Sequence, residues 1–197
     1  MTTLGIVVFE DMEELDAIGP WEVFTCAAQL RDDFRVVTVA EKSGPLRCAK
    51  GLRILPDHGF DDAPELDVLL VPGGQGSRRE VDNPVMIDFL RRTAPTCSWV
   101  TSVCTGALLL CQAGLCEGRR VTTHWGFLET LAKRYPETEV LAQRRYVRDG
   151  QLVTAAGISA GIDMALWLVG QLFDVDTARG TQRIMEYDPA PPYAADA

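Results

Sequence analysis

The segment Ser102-Val103-Cys104-Thr105-Gly106 places small residues two positions before and two after a cysteine, between an apolar β-branched run and a helical one. This is the spacing of a nucleophile elbow, a strained strand-to-helix turn that pushes one side chain out of the backbone path and leaves room beneath it only for small neighbours. Cysteine stands where such turns usually carry serine. A thiol at a helix N-terminus feels the positive end of the helix dipole, which would lower its pKa from about 8.5 into roughly the 3.5 to 7.5 range and make it a nucleophile near neutral pH. A free cysteine is most often a small buried hydrophobe. That description suits Cys97 and Cys111, which lie inside apolar segments, better than Cys104.

Five further positions bear on the same chemistry. Gly73-Gly74 ends the apolar run Val68-Leu69-Leu70-Val71; its amides could form an oxyanion hole beside the thiol, or the pair could be an ordinary glycine turn. Asp16 follows the first apolar run and precedes Gly19-Pro20. In a crevice it would orient water or shuttle a proton if burial raises its pKa; in solvent it would be a carboxylate leading into a helix. The Thr105 hydroxyl, directly after the nucleophile, could donate to a substrate or hold a water, or could serve only as a cap. His124, in Thr122-Thr123-His124-Trp125, is a candidate substrate-binding group or base for Cys104, with no local spacing to link the two. His58, among Asp57, Asp61 and Asp62, reads as surface.

These residues need elements to hold them. Short apolar runs alternate with amphipathic helical stretches, the pattern of a mostly parallel sheet covered by helices on both faces. Leu4 to Phe9 reads as the first strand, with Pro20 in the first turn of the helix after it. Phe34 to Ala40 reads as the second strand, and Leu46 to Cys48 with Leu52 to Leu55 as a peripheral hairpin. Val68 to Val71, wholly apolar, reads as a central strand. Asn83 caps a helix through Phe89 and Leu90, and Ser98 to Val103 leads into the elbow. Helices follow over Thr105 to Leu115 and Phe127 to Tyr135. A hairpin turns at Asp149-Gly150; Ser159 caps a helix from Gly161 to Phe173, and a last helix from Asp176 to about Met185 enters a Pro-rich surface tail. Cys104, Gly73-Gly74 and Asp16 thereby stand at the carboxyl ends of strands, where open α/β sheets place their sites.

Composition narrows the function classes. With 197 residues and 47% hydrophobic content the chain can bury one substantial core, and we read residues 1–197 as a single domain. A net charge of -9 opposes binding to nucleic acid or anionic lipid. The pairs Arg119-Arg120 and Arg144-Arg145 are too short to reverse that. The start, Met1-Thr2-Thr3-Leu4, lacks the features of a signal peptide, and the apolar stretch from Ala165 to Leu172 is too short to span a bilayer. A cytoplasmic, non-membrane protein with mostly reduced cysteines is expected. Two histidines and no Cys-x-x-Cys pair argue against a zinc site, so no metal is expected.

Val71-Pro72-Gly73-Gly74, the elbow Ser102 to Ala107, Thr122-Thr123-His124-Trp125 and Ala156-Gly157-Ile158-Ser159-Ala160-Gly161-Ile162-Asp163 together resemble the ThiJ/PfpI superfamily. Leu15 to Pro20 and Glu186 to Pro192 are similar to its isonitrile hydratase branch. The resemblance implies a flavodoxin-like three-layer sandwich, related to class I glutamine amidotransferases, usually a homodimer. It implies Cys104 as nucleophile, Asp16 as its acidic companion, Thr105 as a polar helper, a small-molecule substrate and no cofactor. Protease-like members carry histidine directly after the nucleophile, where this chain has Thr105, and many members carry glutamate in place of Asp16. Hydration of an isonitrile to an N-substituted formamide is the expected activity. The alternatives are a glyoxalase or amidase in which His124 assists Cys104, and a redox or ligand sensor.

Overall fold

The computed structural model describes residues 1–189; the expected surface position of the Pro-rich tail lies largely outside them. In chain order the strands are β1 (Thr2–Val7), β2 (Phe34–Ala40), β3 (Leu46–Arg47), β4 (Arg53–Ile54), β5 (His58–Gly59), β6 (Val68–Val71), β7 (Trp99–Val103), β8 (Arg120–Val121), β9 (Glu139–Val140), β10 (Tyr146–Asp149) and β11 (Leu152–Ala155). The α-helices are α1 (Glu14–Ala28), α2 (Ser77–Glu80), α3 (Pro84–Thr93), α4 (Gly106–Gln112), α5 (Leu128–Arg134), α6 (Ala160–Leu172) and α7 (Val175–Ile184).

The main sheet runs β10-β11-β7-β6-β1-β2-β5, and every neighbouring pair is parallel except β10 with β11. β6 lies at its centre, and all four of its side chains are fully buried, which is why that run carries no polar residue. The chain moves from β1 outward to β2, but from β6 to β7 in the opposite direction. Right-handed crossovers therefore put α1 and α3 on opposite faces of the sheet. α1 packs with α6 and α7, while α4 packs with α2 and α3. The reversal falls between β1 and β6, and the crevice at a reversal is where such sheets hold ligands.

The structure departs from the sequence expectations at several boundaries. α1 starts at Glu14, so Pro20 sits inside the helix and not in its first turn. Asp16 is correspondingly a first-turn residue of α1, not a residue ahead of it. The helix starts early because its entry is bonded to the β6 loop: Glu13 N–H donates to Gly73 O at 3.0 Å, and Met12 bridges Gly74. α4 is shorter than expected, ending at Gln112. The hairpin turns at Gly150-Gln151, with Asp149 still paired to Leu152. Ser159 occupies the N-cap position of α6 without capping it, because its hydroxyl accepts from Arg145. Asn83 caps α3 as expected, its side chain accepting from Val85 N–H. No described helix is long and apolar enough to cross a membrane.

Candidate active site

Cys104 follows β7 in a left-handed conformation, with φ +57. A non-glycine residue pays about 1 to 3 kcal/mol for such a backbone, and here its surroundings hold it there. Cys104 N–H donates to Ala155 O at 3.1 Å, and Thr123 Oγ1 donates to Cys104 O at 2.7 Å. Two residues on, a Cβ on Gly106 would fall 2.0 Å from Val71 O, so only glycine passes there. The small-x-Cys-x-Gly spacing is thus an elbow in the folded chain.

Asp16 reaches this turn from the first turn of α1. It is fully buried, Oδ2 accepting from Gly73 N–H and Oδ1 from Ile158 N–H, both at 3.0 Å. Burial pushes its pKa up to about 7 against the pull of those two amides, and the nearby Glu13 charge adds to the rise. The carboxyl faces the Cys104 thiol, and each group perturbs the other.

The thiol itself is pushed up to about 12, first by burial and then by the Asp16 charge. This reverses the expectation of a thiol lowered by the helix dipole. α4 has only seven residues, and desolvation of a nearly buried sulfur beside a carboxylate outweighs its dipole. Asp16 and Cys104 therefore titrate as a pair, and the first negative charge settles on Asp16.

Thr105 is buried beside them. Its Oγ1 receives Gly74 N–H at 3.0 Å and lies 2.9 Å from Ser77 Oγ. Its amide and hydroxyl both face the Cys104 sulfur and favour the thiolate. Gly74 has φ +108, and a Cβ there would fall 2.1 Å from Glu13 N; a Cβ on Gly73 would fall 2.4 Å from Thr105 N. The glycines are required for close approach, but the oxyanion-hole expectation is corrected. Both amides are already taken up, Gly73's by Asp16 and Gly74's by Thr105.

His124 is not joined to Cys104 by any hydrogen bond among the described residues. Its Nδ1 accepts from Gly126 N–H at 3.2 Å, and its ring lies against Gly157. It lines a neighbouring cleft of about 420 Å³ with Thr123 and Ile158. His58 lies half-buried on edge strand β5, 3.6 Å from Asp62. All six cysteines are buried and unpaired. Cys97 donates to the Leu66 and Thr93 carbonyls, in keeping with a structural role.

Comparison with known proteins decides the family. The profile of the DJ-1/PfpI family matches residues 3–171. The chain belongs to the DJ-1/PfpI family. An isonitrile hydratase of Pseudomonas putida is 40% identical over 190 residues, covering 96% of this chain and 80% of that protein. The crystal structure of a ThiJ/PfpI family protein from Pseudomonas syringae superposes with a TM-score of 0.90 at 32% identity, covering all of this chain and 79% of that one. A helix-turn-helix transcriptional regulator of Pseudomonas aeruginosa is 29% identical over 171 residues, spanning 86% of this chain and 46% of the regulator. The DJ-1/PfpI domain thus occurs both in an enzyme and in a regulator.

Within this DJ-1/PfpI site the residues missed from sequence are Ile158, Ser77 and Thr123. Ile158 holds Asp16 from a left-handed backbone, φ +51, that a β-branched residue rarely adopts and that no local pattern announces. Ser77, three residues after Gly74, was open to recognition as a turn hydroxyl; it lies 2.8 Å from Gly74 O.

Proposed function

We propose that this protein hydrates an isonitrile, R–NC, to the N-substituted formamide, R–NH–CHO. The observation that carries the reading is the buried Asp16 carboxyl, pushed up to about 7 and facing Cys104 at the elbow. A group with that pKa can take a proton and return it near neutral pH. Asp16 accepts the thiol proton as the sulfur attacks the terminal carbon, then delivers it to that carbon, giving the thioimidate R–N=CH–S–Cys104. Water adds across the C=N bond with Asp16 moving its proton. The tetrahedral adduct R–NH–CH(OH)–S–Cys104 collapses, and the formamide leaves as the thiol regains its proton. Thr105 steadies the charge developing on sulfur through its amide and hydroxyl.

The 40% identity to an isonitrile hydratase over nearly the whole chain supports the same reading. A glyoxalase or amidase assisted by His124 has less support, since His124 Nδ1 is engaged by Gly126 and not by the thiol. From the family resemblance we take the enzyme to be a cofactor-free homodimer acting on a small molecule, and we propose a cytoplasmic location for it. Intact-protein mass spectrometry after rapid quenching tests the chemistry. A transient adduct equal to the mass of the isonitrile, on Cys104, is expected; turnover with no adduct at any time point in slow-hydrolysis conditions would remove the covalent route.

A further inference from the structure

The cleft beside the site has a chemistry of its own. Thr123, which holds the Cys104 carbonyl, and Ile158, which holds Asp16, both line it, so it shares two walls with the reacting centre. Its apolar lining comes from Trp125, Leu128, Ala156 and Ile158. Trp125 is 81% exposed and pairs with His124 alone among the aromatic pairs of the described residues, so its indole face is open at the cleft. Arg144 and Arg145 also line it, and they differ. Arg145 is neutralised by Asp163, at 2.5 Å, and its carbonyl accepts from Ala156 N–H at 2.8 Å. That tether holds the preceding residue at the cleft. Arg144 makes no ion pair or hydrogen bond among the described residues. In a chain with a net charge of -9, acidic partners are abundant, yet this guanidinium has none of them.

Resting on the hydratase reading, the geometry points to a substrate whose nitrogen substituent carries an apolar body and a terminal carboxylate, an isocyano-carboxylate. The isonitrile carbon meets Cys104, the body runs past Ile158 against Trp125, and the carboxylate is received by Arg144. A guanidinium matches a carboxylate in two parallel hydrogen bonds, which a lysine cannot reproduce.

Calorimetric titration of the wild-type protein with 4-formamidobenzoate and with its methyl ester tests this without any turnover. The carboxylate should bind about tenfold more tightly than the ester, the gain of one partly desolvated charge-assisted contact. Arg144→Ala should bring the carboxylate down to the level of the ester, Arg144→Lys should recover only part of the difference, and Trp125→Ala should weaken both ligands. Equal affinity for the two ligands in the wild type, or a preference that survives in Arg144→Ala, would overturn the assignment. Steady-state kinetics on 4-isocyanobenzoate and its methyl ester separate this from the reaction itself. A wild-type preference expressed in KM and lost in Arg144→Ala supports the cleft. Isonitrile turnover with no such preference refutes the cleft alone, whereas selective carboxylate binding with no isonitrile turnover refutes the hydratase reading and leaves the anion site standing.

Discussion

Asp16 separates a hydratase from a merely reactive cysteine. Its folded pKa, about 7, lies above the ordinary 3.8, so the native state holds a proton that the unfolded state has released between those values. Linkage then fixes the sign: Asp16's contribution to stability is fully present below about pH 4 and is lost as pH rises through about 7. Chemical denaturation across pH 4 to 8 should show this decline in the wild type and a flatter profile in Asp16→Asn. Activity should run the other way. The reactive form of the pair has thiol and carboxylate, so kcat/KM should rise as pH increases through about 7, and Asp16→Asn should abolish that limb. Sequence made the pair visible only in part. Small neighbours around Cys104 are a local steric requirement, readable from five residues, whereas Asp16 depends on an amide 142 positions away.

At the scale of elements, the site is a meeting of three strand ends with one helix entry. The strand runs, the Asn83 cap and the alternation of strand with helix were legible because each rests on neighbours in sequence. The start of α1 was not, since the Gly73 loop bonds it and Pro20 carries the stronger local cue. Gly73-Gly74 leaves an oxyanion hole and a plain turn equally open in the sequence for a similar reason: Gly-Gly reveals close backbone approach but not that Asp16 and Thr105 take up the two amides. Two substitutions test the arrangement. Gly106→Ala would force a Cβ to 2.0 Å from Val71 O, a backbone atom that cannot move aside; a loss of about 3 kcal/mol or more in urea unfolding is expected. Ser77→Ala removes the hydroxyl 2.9 Å from Thr105 Oγ1. It should cost about 1 kcal/mol of stability and slow turnover through Thr105, with the pH midpoint governed by Asp16 unmoved.

At the scale of the whole molecule, the sheet reverses between β1 and β6, which brings Asp16, Gly73 and Cys104 to one crevice although they come from three separate crossover units. The fold alone does not choose a reaction, since relatives with this domain include an isonitrile hydratase and a transcriptional regulator. The deciding measurement is formamide production from an isonitrile by purified wild-type, Asp16→Asn and Cys104→Ala proteins, with circular dichroism to confirm that each is folded. The account predicts steady turnover by the wild type, none by Cys104→Ala, and a loss of about a hundredfold to ten-thousandfold in Asp16→Asn. Turnover by folded Asp16→Asn at nearly the wild-type rate, or no formamide from the wild type, would contradict it.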